Sequence, residues 1–342
     1  MLPAIIESVP LAPLTTLGLG GAARFFAEIT DAAELGPGLA WAQEKHLPAF
    51  ILGGGSNLIV ADEGFPGLVL RMRTRGRRWL DERGETRVEV EAGEDWDDVV
   101  ADSVTRDAAG IECLSGIPGS AGAAPVQNIG AYGQEIASAI RSVRVLDRES
   151  LEVRELAPDA CGFGYRDSNF KREPDRHVIL SITLALVPGG APSLRYAELV
   201  AALSRSPSLA DVRQAVLALR RRKSMVLDES DPNRRSAGSF FTNPVVGADL
   251  AALLPEDAPR FPLADGRSKL AAAWLIEHAG LPKGFRMGPV GISSQHALAL
   301  VHHGGGATAD LLRLARHVHK TVLDRFGISL VPEPVLLGLR WD

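Results

Sequence analysis

The spacing of apolar positions changes period several times along the chain. Residues 23–29 are rich in β-formers, and 31–34 carry the Asp-x-x-Glu of a capping box ahead of a helical stretch at 39–45 that Pro48 closes. Residues 49–52 predict a short buried strand that runs into Gly53-Gly54-Gly55-Ser56-Asn57, and a second apolar stretch follows at 58–60. The predicted order is strand, glycine loop, strand. Apolar residues 68–72 then give way to a basic run at 73–78, which predicts a boundary or exposed connection with a solvated surface. At 86–92 the alternation Thr-Arg-Val-Glu-Val-Glu-Ala has period two, the mark of a half-exposed strand. Residues 95–109 switch to helical spacing at Trp96, Val99, Val100 and Val104, with acids near the start that complement the helix dipole, and Gly110 stops them.

Strand-like segments at 142–146 and 178–186 give the middle of the chain a mixed α+β, mostly antiparallel character. Beyond Pro188-Gly189-Gly190, residues 210–222 predict a helix with Val212, Ala215, Val216 and Leu219 on one face and a basic end running into Lys223. The polar stretch 224–236 predicts a loop. Residues 269–279 predict a helix stopped by Gly280 and Pro282, and 308–326 a longer one, capped by Thr308 at its start and Gly327 at its end. There is no long internal repeat and no low-complexity tract.

The 342 residues, 46% hydrophobic and 23% charged, can bury a real core, and their number favours two or three domains. A net charge of −5 argues against a general nucleic-acid or membrane-surface binder, so an anionic ligand must meet a local basic cluster. Cys113 and Cys161 cannot build a disulfide framework and have no metal-ligand spacing, which fits a reducing cytoplasm. The opening MLPAIIESVPLAPL lacks the basic region and cleavage site of a signal peptide, and no apolar run approaches the ~18 residues of a membrane span. A cytoplasmic protein with neither a membrane nor a nucleic-acid partner is expected.

Nucleotide fingerprints fail: nothing matches GxxxxGK[ST], and Gly18-Leu19-Gly20-Gly21 has the wrong spacing and precedes a strand. The pairs His302-His303 and His317/His319 predict surface histidines with no metal, since an HxH on a helix sends its rings to different faces. Two glycine-dense loops, 53–57 and 117–125, expose backbone N–H groups without side-chain obstruction, as close approach to a pyrophosphate requires. The second continues as Val126-Gln127-Asn128-Ile129-Gly130-Ala131-Tyr132-Gly133, whose carboxamides and small residues suit the edge of a flat heterocycle. Together they point to a large cofactor carrying phosphates and a ring system.

The run GIPGSAGAAPVQNIGAYGQE, with LGGGSNL upstream and both YRDS and GSFFTNP downstream, resembles the UDP-N-acetylenolpyruvoylglucosamine reductase family from about Thr16 to Gly338. The resemblance implies an α+β, vanillyl-alcohol-oxidase-type FAD-binding fold. Its two FAD-binding subdomains would be 1–72 and 73–217, followed by an α+β substrate-binding domain at 218–325 and a C-terminal segment at 326–342 that returns to the active site. It implies non-covalent FAD held by Gly53, Gly54, Gly55, Ser56, Asn57, Gly119, Ser120, Gln127, Gly130 and Tyr132, with NADPH as reductant. The activity implied is an FAD-dependent oxidoreductase of peptidoglycan precursor synthesis, working as a monomer in two half-reactions on a nucleotide-sugar substrate.

By the same resemblance Ser239 is the proton donor, Arg166 faces the substrate carboxylate, and Glu333 lies near the enolpyruvyl group. Tyr196, in the Leu-Arg-Tyr-Ala-Glu-Leu segment typical of the longer, type I form, binds the UDP portion with Lys223 and Asn243. Read in isolation these residues are blander: Ser239 a turn serine, Arg166 a surface ion-pair partner, Glu333 an edge-strand carboxylate, Lys223 a snorkelled lysine. The chain departs from the commoner pattern at Thr15-Thr16, at Thr242, in a longer 224–236 loop, and at His296, where either it or Gln295 can supply a polar substrate contact. Two other readings are an oxidase of the same fold and a non-catalytic UDP-sugar binder. Retention of Ser239, Arg166 and Glu333 together argues against the second.

Overall fold

The longest strand, His177–Pro188, is apolar on both faces and lies at the centre of a six-stranded sheet. In this computed structural model, which describes residues 1–82 and 84–341, its neighbours are Ile140–Asp147 on one side and Glu85–Glu91 on the other, both antiparallel, with Val153–Leu156 and Arg77–Glu82 at the edges. Ile182 faces Val90 and Val143, which puts apolar side chains of three strands in one row. A second sheet in the order Ile6–Pro10, Ala22–Ile29, Phe65–Met72, Ala49–Leu52 closes with a parallel pair. The middle is mostly antiparallel, as the alternation predicts.

The chain divides into two compact units, each built from three stretches of sequence. Unit 1 comprises Met1–Val9, Ala23–Gly55 and Pro66–Leu227, and unit 2 comprises Pro10–Ala22, Ser56–Phe65 and the chain from Asp228 onward. One buried core in unit 1 joins Ile29, Leu68 and Leu70 of the second sheet to Val90, Val143 and Ile182 of the first, with Trp96, Val99 and Val100 of the helix Trp96–Thr105. The expected division at 72/73 therefore falls inside this core. The basic run 73–78 ends in the edge strand Arg77–Glu82, where Arg78 pairs with Glu89 across the ladder at 2.6 Å, so only its first part is a connection.

The helix expected over 95–109 stops at Thr105: Asp107 takes φ +53° and Ala108–Ala109 pair with Val187 and Pro188. That pairing depends on residues some eighty positions away, which periodicity cannot reveal. Its start is as expected, with the Asp95 carboxylate accepting from the N–H groups of Asp97 and Asp98. The helix Leu209–Arg222 opens on a capping box between Ser208 and Asp211 and buries Val212, Val216 and Leu219 against Cys113 and Leu199.

Unit 2 holds a four-stranded antiparallel sheet in the order Ser236–Ser239, Ala299–His302, Val290–Ile292, Arg286–Met287. The long helix Thr308–Phe326 covers Leu311, Leu314, Val318 and Val322 in its core, and Gly327 at φ +66° ends it as predicted. Thr308 is not its cap. It is the first helical residue and is buried, its hydroxyl donating to the Val60 carbonyl at 2.7 Å, while the Asp62 carboxylate accepts from the N–H groups of Thr308 and Ala309. Within 269–279 only Ala272–His278 is helical, because Ser268–Leu270 is drawn into a ladder with Val245–Val246 and Arg260–Pro262. Leu58–Val60 forms a parallel pair with Val335–Leu337. Among the described residues no helix is long and apolar enough to cross a membrane.

Candidate active site

Within unit 1 the two glycine loops pack directly on each other. A Cβ on Gly54 would come within 2.7 Å of the Gly119 Cα, so that position admits no side chain, and one on Gly53 would lie 2.6 Å from the Ser120 hydroxyl and force it to move. Gly55 at φ +68° and Gly119 at φ +130° bend the two backbones. The N–H groups of Gly54, Gly55 and Gly119 have no protein acceptor among the described residues. The result is a bare, donor-rich cradle suited to phosphate oxygens. Its rear is tied at Gly116, whose N–H donates to Asp97 at 2.6 Å, and Asp97 in turn receives a two-pronged contact from Arg213 at 2.6 and 2.8 Å. Burial opposes charge on Asp97, but Arg213 and the Gly116 N–H outweigh it and hold the carboxyl below its usual range. Ser120 and Gln127 are buried along the same run. These residues fit an FAD.

Ser56 and Asn57, expected beside them, belong to unit 2. There the Asn57 amide donates to the Glu333 carbonyl at 3.5 Å, the Asn57 carbonyl accepts from Val335, and the Thr16 hydroxyl donates to the carbonyls of Ser236 and Ser56. In this arrangement Asn57 organises the Glu333 segment.

Arg166 sits at the tip of a tight turn in which Gly164 and Asp167 exchange backbone hydrogen bonds, and it takes φ +52°. The turn is braced by Lys171, which donates to the Arg166 carbonyl at 3.0 Å, and by an Arg172–Asp167 ion pair. The guanidinium donates to the carbonyls of Asn128 and Gly130, which joins the YRDS motif to the second glycine loop. Close by in the same loop, Tyr132 at φ +50° makes an edge-to-face contact with Tyr196 at 5.4 Å, and Lys223 lies 5.9 Å from the Tyr132 ring. Burial pushes the Tyr132 phenol up to about 12 and Arg220 beside it down to about 10. The Lys223 ammonium donates to Glu198 at 2.6 Å. Tyr196 is 45% exposed and starts the helix Ala197–Ala201. Sequence reasoning missed Glu198 and Arg220. Glu198 lies two residues past Tyr196, a spacing that carried no signal of its own.

In unit 2, Ser239 ends the strand Ser236–Ser239 opposite Ala299. Phe240 next to it donates to the Leu298 carbonyl and accepts from the Glu333 N–H at 2.8 Å, and Thr242 donates to Val331 at 3.0 Å. The Ser-Phe-Phe-Thr and Val-Pro-Glu segments therefore run side by side, fixing Glu333 one residue from Ser239 across the pair. The half-buried Ser239 hydroxyl has no hydrogen-bond partner among the described residues. Asn243 spends its carbonyl capping the helix Ala272–His278, accepting from the Ala272 N–H at 2.9 Å. His296 accepts from the Leu298 N–H through Nδ1, which places its proton on Nε2, whereas the Gln295 side chain is exposed. His319 contacts the Leu330 carbonyl, and His317 stacks on Phe285.

Residues 23–155 match the family model described as an FAD binding domain, and 231–337 match that described as UDP-N-acetylenolpyruvoylglucosamine reductase, C-terminal domain. With the cradle above, the matches define an FAD-dependent flavoprotein oxidoreductase of α+β fold, an FAD-binding domain followed by a reductase C-terminal domain. The chain belongs to the UDP-N-acetylenolpyruvoylglucosamine reductase family. It is 47% identical to the reductase of that name from Thermobifida fusca, covering 99% of both chains, and 49% identical to that from Saccharopolyspora erythraea, covering 96% and 94%. The crystal structure of UDP-N-acetylenolpyruvylglucosamine reductase from Thermus caldophilus aligns with a TM-score of 0.68 at 25% identity, over 98% of this chain and 99% of that one.

Proposed function

We propose that the chain reduces UDP-N-acetylglucosamine enolpyruvate to UDP-N-acetylmuramate with electrons from NADPH, as a cytoplasmic monomer in peptidoglycan precursor synthesis. The observation that carries this reading is the main-chain pairing of the Ser239 and Glu333 segments, in which the Ser239 hydroxyl is unbonded among the described residues. Residues 1–72 and 73–217, which share one buried core, together serve as the FAD-binding part, 218–325 as the substrate domain and 326–342 as the segment that brings Glu333 into play.

The cradle at Gly53, Gly54, Gly55, Gly119 and Ser120, with Gln127, Gly130 and Tyr132, would hold FAD, which would supply two-electron transfer from NADPH to C3 of the vinyl ether. As C3 becomes a methyl group, an electron pair is left on C2 and spreads into its carboxylate. Arg166 offers that carboxylate a planar, permanently charged fork. Glu333 polarises the same group. Ser239 gives its proton to C2, breaking its O–H bond and forming C2–H, and regains a proton from solvent. Lys223 supplies a point charge to the diphosphate, Tyr196 closes over it, and Asn243 with Gln295 or His296 adds polar contacts to the nucleotide sugar.

Anaerobic stopped-flow absorption tests the assignment. Ser239→Ala retains flavin reduction by NADPH, while reoxidation by the enolpyruvyl substrate slows by roughly 10²–10⁴-fold, the range typical of a lost general acid. Reoxidation at the unmodified rate overturns it.

A further inference from the structure

The turn that carries Arg166 is held by a side chain that none of the assigned roles uses, and the guanidinium itself by that residue's main-chain carbonyl. Asn128 is 1% exposed and takes φ +42°, a left-handed conformation that asparagine tolerates better than most residues. Its amide nitrogen donates to the Gly164 carbonyl at 2.8 Å and to the Glu135 carboxylate at 3.0 Å, and its amide oxygen accepts from the Ala137 N–H at 3.2 Å. The opposite amide orientation would set oxygen against oxygen twice, so the network fixes which way it points. Its main-chain carbonyl accepts from the Arg166 guanidinium at 3.4 Å. One residue therefore holds the Arg166 turn by its first residue, Gly164, and the Arg166 side chain by its tip. On the other side of that tip, a Cβ on Gly130 would lie 2.8 Å from the guanidinium nitrogen, so the loop fits around the cation without slack.

We propose that Asn128 is a positioning residue for Arg166, setting the guanidinium for the enolpyruvyl carboxylate in the second half-reaction. The proposal rests on the reading that Arg166 faces that carboxylate. Asn128→Asp turns two attractive contacts into repulsion from Glu135 and from the Gly164 carbonyl, freeing the turn while nearly preserving size. Asn128→Ser removes the contacts without adding charge.

Both variants, alone and combined with Arg166→Lys, are compared for bound flavin, for the two half-reactions, and for the dissociation constant of UDP-N-acetylmuramate, read from the flavin spectrum. The expected result is full flavin content and an unchanged rate of reduction by NADPH. Reoxidation slows by about 10–100-fold, the scale of a displaced catalytic group, and product binding weakens. Both effects disappear in the Arg166→Lys background, because the two residues act as one. Overturning results are a loss of flavin in Asn128→Ser, a parallel fall in both half-reactions, or Asn128 and Arg166 effects that multiply. If Arg166→Lys alone leaves reoxidation intact, the reading of Arg166 fails and the positioning role falls with it. If Arg166→Lys is slow and the Asn128 variants are fast, only the positioning role fails.

Discussion

Arg166 and Ser239 are held in opposite ways. The arginine occupies a left-handed turn braced by Lys171 and an Arg172–Asp167 pair, and its side chain is pinned to two main-chain carbonyls. The serine ends a short strand whose register shifts between Ser236 and Ser239, and its hydroxyl is unbonded among the described residues. The difference suits the tasks proposed for the two residues. A charge that never leaves must be aimed in advance, because its value to a developing anion depends on distance and direction. A proton that must leave is better carried by a group not already committed to another acceptor.

Loss of the Ser239 hydroxyl has the largest expected effect, as above, and confines the damage to one half-reaction. Arg166→Lys keeps the charge but not the fork, and a reoxidation rate about 100-fold lower at unchanged flavin reduction is the expected stopped-flow result. A lysine as fast as the arginine would mean that aiming is unimportant and would break the contrast.

The stiff side reaches back to Asp97, which anchors the start of the loop that receives Arg166. Asp97→Asn should cost about 1–3 kcal/mol at neutral pH, since it leaves the half-buried Arg213 unpaired. Because the Asp97 carboxyl is held below its usual range, its contribution is present above the unfolded aspartate pKa and is lost as pH falls through the folded value. Urea titrations of the two proteins should differ at pH 7 and converge on acidification. A gap that persists undiminished below pH 3 would contradict the ionic origin.

The smallest effect concerns Lys223, whose partner Glu198 would, on the proposed reading, compete with an incoming diphosphate. Both side chains of this pair are partly exposed, so Glu198→Gln should tighten UDP binding only about two- to five-fold, measured calorimetrically. Weaker binding would show instead that Glu198 orients the lysine for its ligand.

What sequence alone could reveal follows the range of the interactions involved. The helix start at Asp95, the stop at Gly327 and the alternation at 86–92 were legible because caps and period-two burial are local. The premature end at Thr105 and the strand at Ser268–Leu270 were not, since each is set by pairing with a distant or separately folded segment. In the candidate site, the glycine loops declared themselves by composition. Ser239, Arg166 and Glu333 stood out only through the motifs around them, because a lone serine, arginine or glutamate carries no signal. The Asn128 carboxamide, read with Gln127 as suited to the edge of a flat heterocycle, is instead buried and bonded within the protein: its partners lie 7, 9 and 36 residues along the chain, and nothing local reveals them.

The parallel pairing of Leu58–Val60 with Val335–Leu337 also sets a timetable for synthesis. Those three early residues reach the ribosomal exit long before their partners, and at roughly 5–20 residues per second the intervening 335 − 58 = 277 positions take about 15–55 s to translate. Throughout that interval an apolar strand edge stays unmatched, open to chaperones or to neighbouring nascent chains. Splitting the gene after Leu227 would make the problem permanent, since a fragment beginning at Asp228 lacks Pro10–Ala22 and Ser56–Phe65. Useful fragments of this protein must be rewired by circular permutation, because trimming alone cannot keep the second unit whole.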